Sequence, residues 1–120
     1  MKEESPASRP VFLSFARIRF PVGAVASLGH RVSEIMLVAA LPLAVLALQR
    51  SLEGEEAHFA DWMRLPAALF AWAAAQHLFA GIRHLLMEAG VGSALPAARR
   101  TAYAALIAAA GIAIAVLLLL

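Results

Sequence analysis

Residues 101–120 read TAYAALIAAAGIAIAVLLLL, a stretch of 20 residues without a charge. About 20 apolar residues in a helix cross the roughly 30 Å hydrocarbon core of a bilayer. Length and content alone therefore make this stretch a membrane span, starting at Arg99 or Arg100 and running to Leu120. Working back from it, residues 90–98 (GVGSALPAA) form a Gly- and Pro-rich turn. A second apolar run extends from Trp62 to Ala89, with Pro66 in its first turns, and an acidic loop, residues 50–61 (RSLEGEEAHFAD), precedes it. A third run covers residues 22–49. Its outer half, Ile35 to Leu48, is purely apolar and holds Pro42, a kink that membrane helices tolerate.

The whole chain agrees with this reading. Of its 120 residues 62% are hydrophobic and 15% charged, whereas a soluble domain is about half apolar and a quarter charged. So short a chain has too little interior to hide the excess, which must face lipid. The expected fold is an all-α membrane protein of three transmembrane helices, about 22–49, 62–89 and 99–120, with no room for a soluble domain. Residues 1–9 (MKEESPASR) read as a frayed polar terminus. Residues 10–21 (PVFLSFARIRFP) are too short to span. They read as an interfacial segment with Phe12, Phe15 and Phe20 dipping in and Arg17 and Arg19 at the headgroups, or as an ordinary loop. The division is thus 1–21, cytoplasmic tail and interfacial segment, and 22–120, transmembrane domain.

The absence of cysteine excludes disulfides, thiolate metal sites and a Cys nucleophile. A formal charge of +2 is too small to point to nucleic acid. No segment reads as a secretory signal, because the first apolar stretch is too long and carries Arg31. Lys2, Arg9, Arg17 and Arg19 before the first helix, and Arg83, Arg99 and Arg100 around the second loop, outweigh Arg50 and Arg64 around the first. The positive-inside rule then puts the N-terminus and second loop in the cytoplasm and the C-terminus outside.

Ionisable groups are the exception to this pattern. Each charged residue at the bilayer centre costs roughly 2.5–3.5 kcal/mol on insertion scales. In the first helix Ser27, His30, Arg31 and Glu34 are spaced i, i+3, i+4, i+7, which is one helical face, with Ser33 off it. In the second, His77, Gly81, His84 and Glu88 form a matching stripe. Gly81 leaves a gap where a large flat group could approach the backbone. The two stripes are expected to turn inward together, while Ala102, Ala105, Ala109 and Gly111 of the third helix suit close packing. His77, about a turn and a half inward from Arg83, is a haem-iron ligand by its chemistry, or else a histidine bonded to a neighbouring helix. Arg31 has three candidate partners: a haem propionate, a quinone carbonyl, and Glu34 one turn away. Ser27 is a quinone donor or bonds its own backbone. His58, beside Glu55, Glu56 and Asp61, belongs to a solvated loop or a metal site.

The run RPVFLSFARIRFPVGAVASLGHRVSE, with RP, RFP and S-x-x-H-R-x-[ST] in order, resembles the N-terminal signature of the succinate dehydrogenase cytochrome b membrane-anchor subunit. QHLFAGIRHLLMEAG resembles its second signature, H-x-x-x-G-x-R-H-L followed by an acidic residue and Gly. The resemblance implies haem b held by His77 as axial ligand, with the other ligand from a partner subunit. It implies a propionate environment or haem pocket of His30, Arg31, His84 and Gly81, and a quinone site using Ser27 and Arg31 for ubiquinone or menaquinone. It also implies a flavoprotein, an iron–sulfur subunit and a second small membrane anchor as partners, and the inner membrane of a bacterium as location. The chain itself would carry out no succinate chemistry. Glu34 departs from the family pattern, where a small residue is common after the [ST]. Two alternatives stand beside this reading: a haem-free quinone-site anchor, and a small membrane scaffold without a redox role.

Overall fold

The computed structural model describes residues 19–54 and 56–120, and the side chains of these except in 56–61. Most of the proposed interfacial segment and the His58 side chain lie outside the described residues. Three helices form the fold, α1 (Val22–Leu52), α2 (Glu56–Glu88) and α3 (Leu95–Leu119), with no strand among the described residues. Each holds a stretch long and apolar enough to cross a membrane: Val22–Leu52, Trp62–Glu88 and Leu95–Leu119. The chain is an all-α membrane protein of three spans.

The first loop is shorter than the acidic composition suggests. α1 continues to Leu52, Gly54 turns the chain with φ +78°, and α2 starts at Glu56. Nothing between residues 56 and 62 is a proline or glycine, so nothing stops the helix from growing outward. At about 1.5 Å per residue, the 33 residues of α2 reach about 50 Å, well beyond the hydrocarbon core. The second connection is a Schellman turn. Val91 N–H donates to Leu86 C=O at 2.8 Å and Gly90 N–H to Met87 C=O at 3.0 Å, with Gly90 at φ +83°, a conformation that suits glycine. α3 then begins earlier than Arg99, with Pro96 in its first turn, where a missing N–H costs no helical bond.

Every buried hydrophobic residue among those described is an alanine: Ala26 in α1, Ala68, Ala73, Ala75 and Ala80 in α2, and Ala102, Ala105 and Ala109 in α3. The bulky residues point outward, for example Ile35, Val38, Leu78, Leu85, Ile107 and Ile114. Lipid tails are as apolar as leucine, so burying leucine between helices gains little. Small side chains let backbones approach and gain dispersion contacts instead. The alanine stripe of α3 packs as its spacing predicts. Gly111 does not, being exposed with open space around it.

Candidate functional site

α1 and α2 run antiparallel and close on their small residues. Ala26 and Gly29 of α1 meet Gln76 of α2, and Ser33, Ala73 and Ala80, which share those faces by helical spacing, are buried with Ala26 and Gln76. Gly29 is required here: a Cβ at this position would lie 2.8 Å from the Gln76 Nε2. Gln76 is fully buried, its amide within 3.5 Å of the Ala26 carbonyl, and its Oε1 has no partner. Ser33, also fully buried, donates to the His30 carbonyl at 2.6 Å.

This contact determines where the polar stripes go. At about 100° per residue, the Ser27–His30–Arg31–Glu34 stripe is turned roughly 120° from the contact face of α1, and the His77–Gly81–His84–Glu88 stripe roughly 80° from that of α2. They therefore meet along the flank of the helix pair rather than inside it, because the smallest residues win the interface. The expectation that both stripes turn wholly inward is corrected accordingly. His30, His77, Gly81 and His84 come together, Ser27 is half-buried beside them, and Arg31, Glu34 and Glu88 remain exposed. No hydrogen bond or ion pair joins Arg31 to Glu34 among the described residues.

The histidines form one cluster. The His30 and His77 rings stack with centroids 4.3 Å apart and planes 13° from parallel. His84 meets His30 edge-on at 5.4 Å. Gly81 lies against this pair, and a Cβ there would rest in ordinary contact with the His30 Nε2 at 3.4 Å. Both the His30 Nε2 and the His77 Nδ1 are buried without a hydrogen-bond partner. His77 stands near the middle of the span Trp62–Glu88, where no water is at hand to satisfy it. Leaving buried polar nitrogens unpaired is costly. Among the described residues no three His, Asp or Glu side chains could hold a metal ion by themselves.

A second polar centre lies on another side of α2. Arg83 is 8% exposed. Its Nε donates to the Thr101 Oγ1 and its Nη2 to the Ala98 carbonyl, both at 3.2 Å. A Cβ at Gly23 would come 3.5 Å from the same Nη2. One guanidinium thus stands where all three helices meet. Gln76, Ser33, Arg83 and Thr101 all escape the stripe argument. Gln76 had a visible signal, as the one polar neighbour of His77 in the apolar run AWAAAQHLF.

The model of the succinate dehydrogenase/fumarate reductase transmembrane subunit family matches residues 5–118. This chain belongs to that family. A curated relative in Coxiella burnetii (strain RSA 493 / Nine Mile phase I), the succinate dehydrogenase cytochrome b556 subunit, is 36% identical, covering 81% of this chain and 84% of its own length. For a member of the succinate dehydrogenase/fumarate reductase transmembrane family, three membrane spans agree with the description of a transmembrane subunit.

Proposed function

We propose that this chain is the cytochrome b membrane anchor of a succinate–quinone oxidoreductase: it holds haem b on its histidine flank and forms part of the quinone-reduction site. The observation that carries the reading is the cluster of His30, His77 and His84 in an apolar span, with two ring nitrogens buried and unpaired. The residues fit the group. His77 would hold the haem iron, Gly81 would leave the adjoining surface open, and His30, Arg31 and His84 would line the propionate end. Haem iron supplies one-electron redox chemistry when bound. The name of the Coxiella burnetii relative, a cytochrome b556 subunit, supports this assignment.

Another small membrane subunit would supply the remaining iron ligand and cover the flank. The chain also anchors a flavoprotein and an iron–sulfur subunit. Ubiquinone or menaquinone binds at the cytoplasmic end of α1, where the half-buried Ser27 donates a hydrogen bond to one quinone oxygen. The exposed Arg31 stabilises negative charge on the oxygen as it is reduced, an electrostatic task that a dry site strengthens. The chain lies in a bacterial inner membrane with its N-terminus cytoplasmic and its C-terminus periplasmic. With Arg83 buried, Arg99 and Arg100 carry the positive-inside bias of the second loop.

A dithionite-reduced minus oxidised spectrum of the purified complex tests the haem assignment. A b-type α-band is expected, and His77→Ala should abolish or shift it. A wild-type complex without that band, or a His77→Ala complex with the band unchanged, would refute the assignment.

A further inference from the structure

A groove of about 340 Å³ runs between α2 and α3 beside Arg83. Its walls are apolar, with Phe79 and Leu86 of α2, Val91 of the turn and Ala108 of α3 among them. From Phe79 to Met87 it follows α2 for about 12 Å by the helical rise. Arg83 and Thr101 are the two polar side chains that can offer a donor to it. Val91 and Gly92 belong to the turn that joins two membrane spans, so the groove opens at the turn and runs along the spans from there.

Arg83 is a charge without a counter-charge. It is 8% exposed, and its two acceptors, the Thr101 Oγ1 and the Ala98 carbonyl, are neutral. Thr101 turns its own hydroxyl onto that same carbonyl at 3.2 Å. No carboxylate among the described residues pairs with Arg83. A guanidinium presents more donors than these bonds use, and a buried charge without an opposite one is costly. The neighbourhood repeats the sign. Residues 89–120 contain no acidic residue, and Arg99 and Arg100 stand near the start of α3. That helix begins without a side-chain cap and without an acid in its first turn, which leaves its N-terminal end favourable to an anion.

We propose that this groove binds one acidic phospholipid, with the phosphodiester at Arg83 and Thr101 and an acyl chain along Phe79, Leu86 and Ala108. Basic pockets between transmembrane helices suit acidic headgroups for this reason. A free phosphate ion would gain nothing from the apolar walls. A zwitterionic lipid would bring a cation of its own toward Arg99 and Arg100. The proposal requires neither haem nor quinone on the chain.

The test uses the purified protein with whatever subunits accompany it, stripped of lipid and titrated under native mass spectrometry. Phosphatidylglycerol should bind about fivefold or more tightly than phosphatidylcholine of identical chains. Phosphatidylglycerol carrying a diazirine in one acyl chain should, on irradiation, label peptides spanning residues 79–91 and 101–108. Ala108→Leu enlarges an exposed part of the wall and should weaken both lipids by about fivefold. Ala115→Leu, exposed on the same helix and outside the groove, should change nothing. Arg83→Gln should erase the preference between the two lipids. Should that variant fail to fold, the lipid comparison and Ala108→Leu decide alone. Equal affinity for the two lipids, adducts spread over all three helices, or labelling that Ala108→Leu leaves unchanged overturns the proposal. So does displacement of the lipid by inorganic phosphate, which would mark a simple anion site. Labelling of another protein's peptides in place of the groove would show that a protein segment covers it, and would equally end the proposal.

Discussion

Gly29→Ala is the substitution that most directly tests how the histidine cluster is held. The added Cβ would lie 2.8 Å from the Gln76 Nε2, 3.3 Å from its Cδ and 3.5 Å from its Cγ. The shortest of these falls at least about 0.6 Å short of ordinary contact. An exposed glutamine would swing away, but Gln76 is fully buried between the helices. α1 and α2 must separate instead, and His30, the next residue along, moves off His77. Overpacking of this kind costs about 1–3 kcal/mol, while alanine recovers about 1 kcal/mol of helix propensity over glycine. The expected net loss is about 0–2 kcal/mol, read as a lower midpoint in detergent-driven unfolding and as earlier loss of the cofactor absorbance on heating. Gln76→Ala combined with Gly29→Ala should return most of that loss, since it removes the obstruction. A double variant no more stable than the Gly29→Ala protein would refute the claim that Gln76 seated on Gly29 sets the register of the stack.

Gly81→Val should fold, because the first atom added reaches only the edge of contact with the His30 Nε2 at 3.4 Å, yet its second methyl layer should shift or weaken the cofactor spectrum. A Gly81→Val spectrum identical to wild type would leave Gly81 a packing residue only. Thr101→Val should cost about 1 kcal/mol, and Arg83→Met about 1.5–3 kcal/mol, by removing hydrogen bonds to a charged group between α2 and α3. Unfolding midpoints report the loss, and the α-band should stay in place because Arg83 lies off the histidine flank. Arg31→Leu should depress succinate–quinone reductase activity while succinate oxidation by a soluble artificial acceptor continues; equal loss of both would assign Arg31 to assembly.

The spans were legible because the membrane imposes one blunt rule, and TAYAALIAAAGIAIAVLLLL obeys it residue by residue. The cluster of His30, His77 and His84 was legible because ionisable residues in such spans stand out against an apolar background. Their exact setting was not. A polar stripe gives the direction of a side chain about its own helix, but the pairing of helices is decided by whichever residues are smallest, here Ala26, Gly29, Ala73 and Ala80. Arg83 escaped for a related reason. Its nearness to a loop suggests a headgroup contact, and only the third helix, bringing Ala98 and Thr101 alongside, gives it acceptors inside.

The alanine interior inverts the usual map of mutational tolerance. In a soluble core the dangerous change deletes atoms and leaves a hole. Here the seams contain almost nothing to delete, and the harmful change is one that adds a methyl group or more. Genetic screens on this chain should thus find truncating substitutions such as Leu→Ala mild where side chains face lipid, and modest enlargements along the seams severe.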